Sequence, residues 1–175
     1  MYKSGPTLGY FDLSKLIENT PQVNVLRLYH NNDYVVGLPS WEISRSKWVY
    51  PEALFASINS ASIRLRSWDW NARFMDTQDL LPLILLRHNQ APFRSIQNLR
   101  LLHVASEDAN GDGVTGMADE RENVLAMALK ELPSLRRLEF LESSILNDHL
   151  LPKLPFNLTS LTINNCDDVT TANFS

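Results

Sequence analysis

Residues 135–143 read LRRLEFLES, and residues 158–166 read LTSLTINNC. Both follow one template: apolar, two variable residues, leucine, one variable residue, apolar, two variable residues, then a small polar residue or cysteine. Its apolar set is Leu135, Leu138 and Phe140 in the first stretch and Leu158, Leu161 and Ile163 in the second. In a strand, side chains alternate between faces, so the last two of each set point to one side and the residues between them to the other. Two more stretches fit: VNVLRLYHN at 23–31, through Val23, Leu26 and Leu28, and LRLLHVASE at 99–107, through Leu99, Leu102 and Val104. SASIRLRSW at 60–68 fits more weakly, through Ile63 and Leu65. Prolines stand shortly upstream of three of them (Pro21, Pro133, Pro155).

Helical patterns lie between these strands. Residues 119–132, DERENVLAMALKEL, carry acids in the first turn. They place Val124, Leu125, Ala128, Leu129 and Leu132 on one face and stop at Pro133. Residues 51–58 open with a proline suited to a first helical turn, 80–88 suggest a helix beginning at Pro82, and 13–18 read as the end of another helix. A single such unit cannot bury its apolar face alone, whereas stacked units can. The sequence therefore predicts an α/β leucine-rich repeat solenoid of about five irregular repeats. Its strands are parallel on a concave face, and one domain covers residues 1–175. The starts at 23, 60, 99, 135 and 158 are unevenly spaced. Only the last interval suits the usual repeat of about 20–29 residues, so the others must carry insertions.

The last two units, 133–174, resemble the cysteine-containing leucine-rich repeats of F-box proteins. Leu158, Leu161, Ile163, Cys166, Val169 and Thr170 fall on that consensus, and Ser143 stands where cysteine is usual. The long irregular repeats are similar to those of fungal F-box-like proteins. The resemblance implies an intracellular protein, cytoplasmic or nuclear, whose repeats hold a substrate for a ubiquitin ligase. No F-box pattern is found in the chain, which reads as a piece of a longer solenoid. The alternative is a structural or scaffolding repeat protein unrelated to ubiquitination.

Composition narrows the partners. The net charge of -4 gives no reason to expect nucleic acid, and no run of residues is long and apolar enough to span a membrane. Residues 1–100 hold 11 Lys/Arg against 8 Asp/Glu, and residues 101–175 hold 5 against 12. Cys166 is the single cysteine, so no internal disulfide forms; it reads as a structural residue of the turn. There is no GxSxG, HExxH, CxxC or phosphate-cradling glycine loop. The four histidines have no ligand-like spacing. No enzyme activity and no cofactor are expected.

A protein partner on the concave face is expected instead. Outward strand positions give one column of Arg27, Arg64, His103, Glu139 and Thr162, and a second of Tyr29, Arg66, Ala105, Leu141 and Asn164, with Arg137 beside them. Arg and Tyr are favoured anchors in protein interfaces. The four tryptophans, Trp41, Trp48, Trp68 and Trp70, suit packing under long loops, or else a binding surface carried by insertions. The C-terminal unit would expose Leu158, Leu161, Ile163 and Val169, so self-association through this uncapped edge is expected.

One stretch competes for a metal. DANGDGVTGMADE at 108–120 places Asp108, Asn110, Asp112 and Asp119 at positions 1, 3, 5 and 12 of a calcium loop, with Gly113 at the sharp turn. Position 9 is Gly116, no helix enters the loop, and no second loop pairs with it. The reading preferred here is an exposed, metal-free turn that leads into the following helix.

Overall fold

The computed structural model describes residues 13–27, 52–72, 91–104 and 116–170. Tyr29, Trp41, Trp48, Ala105, the helix expected at 80–88 and the loop residues Asp108, Asn110 and Asp112 lie outside them. The described elements alternate: α1 (Leu13–Glu18), β1 (Val25–Arg27), α2 (Glu52–Ser60), β2 (Ser67–Asn71), α3 (Ala91–Arg94), β3 (Asn98–Leu102), α4 (Gly116–Lys130), β4 (Arg137–Leu141), a 3-10 turn (Leu151–Lys153) and β5 (Ser160–Asn164). The five strands form one all-parallel sheet in sequential order. Parallel neighbours need crossover connections, and the helices lie within those crossovers.

The register puts Leu26, Trp68, Leu99, Leu138 and Leu161 side by side. Trp70, Leu101, Phe140 and Ile163 form the next inward row. Apart from the exposed Leu161 and the half-buried Ile163 of β5, both rows enter a single core that also takes Ile17 of α1, Leu54, Phe55 and Ile58 of α2, Phe93 of α3 and Leu125, Ala128 and Leu129 of α4. Part of it is an aromatic cluster. Trp68 meets Trp70 edge-on at 5.4 Å, and also packs against Phe93 at 5.4 Å and Phe55 at 6.2 Å. Trp68 and Trp70 are thus core residues, fully buried in β2. In α4 the expected face is buried at Leu125, Ala128 and Leu129, Val124 is half-buried, and Met127 is exposed on the other side.

The backbone repeats one device at the entry to β2, β3, β4 and β5. The Asn24 carbonyl accepts from the N–H groups of Arg66 and Ser67, and the Arg66 carbonyl from those of Gln97 and Asn98. The Gln97 carbonyl accepts from Arg136 and Arg137, and the Arg136 carbonyl from Thr159 and Ser160. A second device closes three strands: His103, Glu142 and Asn165, each one residue beyond its strand, adopt φ of 55°, 48° and 52°. Single left-handed residues re-aim a chain sharply at modest strain, and Asn tolerates them best.

Three units keep the register expected from the sequence, and two do not. In the third, Leu99 and not Leu102 stands beside Leu138, so the template begins at Ile96. The cue that misleads is the final polar position. Val104 occupies the place that Ser143 and Cys166 hold, while Glu107 offers a false polar end three residues later. In the second unit the template begins at Leu65 and its inward residues are Trp68 and Trp70, five residues beyond the weak match at Ser60. Tryptophan fills the inward positions there in place of aliphatic side chains.

Candidate partner-binding face

Because strand side chains alternate, the residues between the core rows line the opposite face of the sheet. The slipped units change which residues meet there. The observed row is Arg27, Asp69, Arg100, Glu139 and Thr162. Arg27, Glu139 and Thr162 stand in it as expected, while Asp69 and Arg100 replace Arg64 and His103. The sequence template passes over Asp69 because its match in the second unit starts five residues before the observed register. A lone acid between two tryptophans was the available signal.

This row is a charge ladder. The Arg100 guanidinium donates from Nη1 to Asp69 Oδ2 at 3.0 Å, and from Nε and Nη2 to both carboxylate oxygens of Glu139 at 2.8 and 3.2 Å. Arg27 Nε lies 3.5 Å from the same Asp69 oxygen. The Asp69 side chain is fully buried, whereas that of Arg27 is 56% exposed. The bidentate fork to Glu139 is the main cause of a raised Arg100 pKa. The nearby charges of Asp69 and Glu139 act in the same direction, against the opposing effect of burial. Arg100 therefore stays cationic at every working pH.

The other expected face residues sort by this register. Arg66 immediately precedes β2, and Arg64 stands two residues earlier; both are exposed at the strand entry. His103 follows β3 in the left-handed turn, and its Nδ1 lies 3.2 Å from Glu142 Oε2. Leu141 and Asn164 do share a row, with Asn71 and Leu102, of which Asn71 and Leu102 are buried. Arg137 lies in a third row with Val25, Ser67, Asn98 and Ser160. Rows one and three border a depression of about 270 Å³, lined by Arg27, Ser67, Asn98, Arg100, Arg137, Glu139, Ser160 and Thr162 among others.

The position after the left-handed turn ties units together. Ser143 Oγ is buried; it accepts from the Val104 N–H at 3.1 Å and lies 3.1 and 3.0 Å from the carbonyls of Leu101 and Leu141. Cys166, its counterpart in the next unit, reaches the Asn164 carbonyl at 3.6 Å with the same two-residue step back. One turn further on, both oxygens of Asp148 accept from Thr170, one from the N–H at 2.9 Å and one from the hydroxyl at 2.6 Å.

No protein-family model matches the chain, and no curated protein and no solved structure matches it significantly. Among the described residues no helix is long and apolar enough to cross a membrane. Asp119 falls in α4, which begins at Gly116, three residues before the expected start.

Proposed function

We propose that this chain is a leucine-rich repeat module that binds a protein partner on the sheet face opposite its core. The observation that carries the reading is the strand-entry device, four carbonyls each accepting two N–H groups from the following unit. It is the backbone counterpart of the sequence template, and it spaces five short strands as stacked copies of one unit. Such stacking leaves a broad sheet face free of the core, and repeat proteins use surfaces of this kind for recognition. The rigid charge ladder supports the reading, because charges already held in place lose little freedom when a partner docks. The cysteine-type consensus over 133–174 adds the setting, the substrate-recognition region of an F-box ubiquitin-ligase adaptor. The role is recognition and not catalysis.

The test is co-purification from cells with two variants. Thr162→Arg on the proposed face loses the partner, while Met127→Lys on the exposed side of α4 retains it. Equal retention by both refutes the reading. Failure of ligase subunits to co-purify with the wild-type protein would remove the ubiquitin setting alone.

A further inference from the structure

The two open rows of the sheet face differ in one respect. In the ladder, Arg100 is held by two carboxylates and Arg27 leans on one of them. In the neighbouring row, Ser67, Asn98, Arg137 and Ser160 make no side-chain hydrogen bond or ion pair among the described residues. Arg136, next in the chain, already donates to the carbonyls of Pro133 and Leu135. Glu139, two residues along β4 on the same face as Arg137, has both oxygens taken by Arg100. Over the two rows three arginines (Arg27, Arg100, Arg137) face two carboxylates (Asp69, Glu139), so one positive charge remains, and it resides on Arg137.

We propose that this row receives a carboxylate side chain of an acidic peptide segment in the partner, with Arg137 as the ion-pairing residue. The proposal rests on the docking role given to this face. Neighbouring strands are about 4.8 Å apart, which sets the Asn98 amide and the Ser160 hydroxyl on either side of the guanidinium. All three donate, and a carboxylate accepts up to about four such bonds, two of them from a guanidinium fork. A hollow of about 270 Å³ suits one side chain. A polyanion is disfavoured by the net charge of -4, whereas a peptide with one or two acids places its charge where the single excess cation lies.

The experiment uses three labelled dodecapeptides of Gly and Ser, with a central Asp-Glu, Asn-Gln or Lys-Lys pair, and fluorescence anisotropy. The acidic peptide binds the wild type. Its affinity falls at least about tenfold in Arg137→Gln, falls less in Arg137→Lys and is unchanged in Arg136→Gln, as loss of one bidentate charge pair requires. Equal binding of the Asn-Gln peptide, an unaffected Arg137→Gln variant, or no binding of the acidic peptide overturns the proposal. Tighter, Arg137-dependent binding of a single-stranded oligonucleotide overturns it as well. Ser160→Trp, which fills the hollow, separates this from the underlying reading. If it abolishes binding of a neutral peptide, the face is a docking site and only the carboxylate inference falls. If it changes the binding of no peptide, both fall.

Discussion

Replacing Arg100 by methionine probes the ladder most severely. Methionine keeps much of the stem and removes the charge. Asp69, fully buried, then keeps the more distant Arg27 contact at 3.5 Å, and Glu139 loses its fork. Removing one partner of a fully buried pair costs about 3–5 kcal/mol. Arg100 and Glu139 are 33% and 29% exposed, so water recovers part of this. The expected loss is about 2–3 kcal/mol, or roughly 5–10 °C in Tm for a chain of this size. Adding Asp69→Asn to Arg100→Met should restore part of it, because the buried charge is then gone. The double-mutant cycle should show a coupling of about 1 kcal/mol or more. Raising the pH to about 10 leaves the deficit unchanged. The Arg100 pKa is raised in the folded state above its already high unfolded value, so its contribution is complete below that unfolded value and is lost only above it, far beyond pH 10. Chemical denaturation of the three variants and the wild type supplies all these values. An Arg100→Met protein within about 0.5 kcal/mol of the wild type, the ordinary range of surface substitutions, would refute the reasoning.

Ser143→Ala leaves the Val104 N–H without its acceptor and should cost about 1–3 kcal/mol, whereas Ser143→Cys, which places there the side chain found at Cys166, should be milder; thermal melts decide. Trp68→Ala should cost about 3–5 kcal/mol, since Trp68 is fully buried against Trp70, Phe55 and Phe93, and a loss below 1 kcal/mol in urea titration would contradict the aromatic core. In β5 Leu161 is 38% exposed, the strand carries no charge, and among the described residues no strand pairs with its outer edge, so that edge should pair between molecules; Leu161→Lys should abolish concentration-dependent association in analytical ultracentrifugation, and a monodisperse wild type would count against this.

Much of the fold can be read where leucine and its neighbours sit at unambiguous intervals. Leu138 and Phe140, and Leu161 and Ile163, can occupy only one register, and the strands at 137–141 and 160–164 follow from them. The stretch IQNLRLLHVASE offers two registers three residues apart, and both put leucines inward. Choosing between them needs Val104 to be recognised as the buried counterpart of Ser143, which only cross-strand pairing reveals. SWDWN was obscure for a different reason. Packing against Phe55 and Phe93 makes tryptophan the inward residue, and the leucine signal is absent. The face proposed for binding inherits these slips. Arg27, Arg137, Glu139, Leu141 and Asn164 were legible as face residues because their units were, while Arg64, Arg66 and His103 moved to the strand ends.

The register between β2 and β3 places Asp69 beside Arg100 and creates both open rows, so the ladder and the site beside it depend on it. Oxidative cross-linking measures it directly. In a Cys166→Ser background, Ser67→Cys with Asn98→Cys sets the two cysteines side by side on one face, about 4.8 Å apart at the strand spacing and within disulfide reach. The register suggested by the sequence template would instead pair Ser67 with Ser106. Rapid, near-complete disulfide formation in the 67/98 protein, and little in a 67/106 protein, is the result expected. The reverse order of yields would contradict the ladder and the site built beside it.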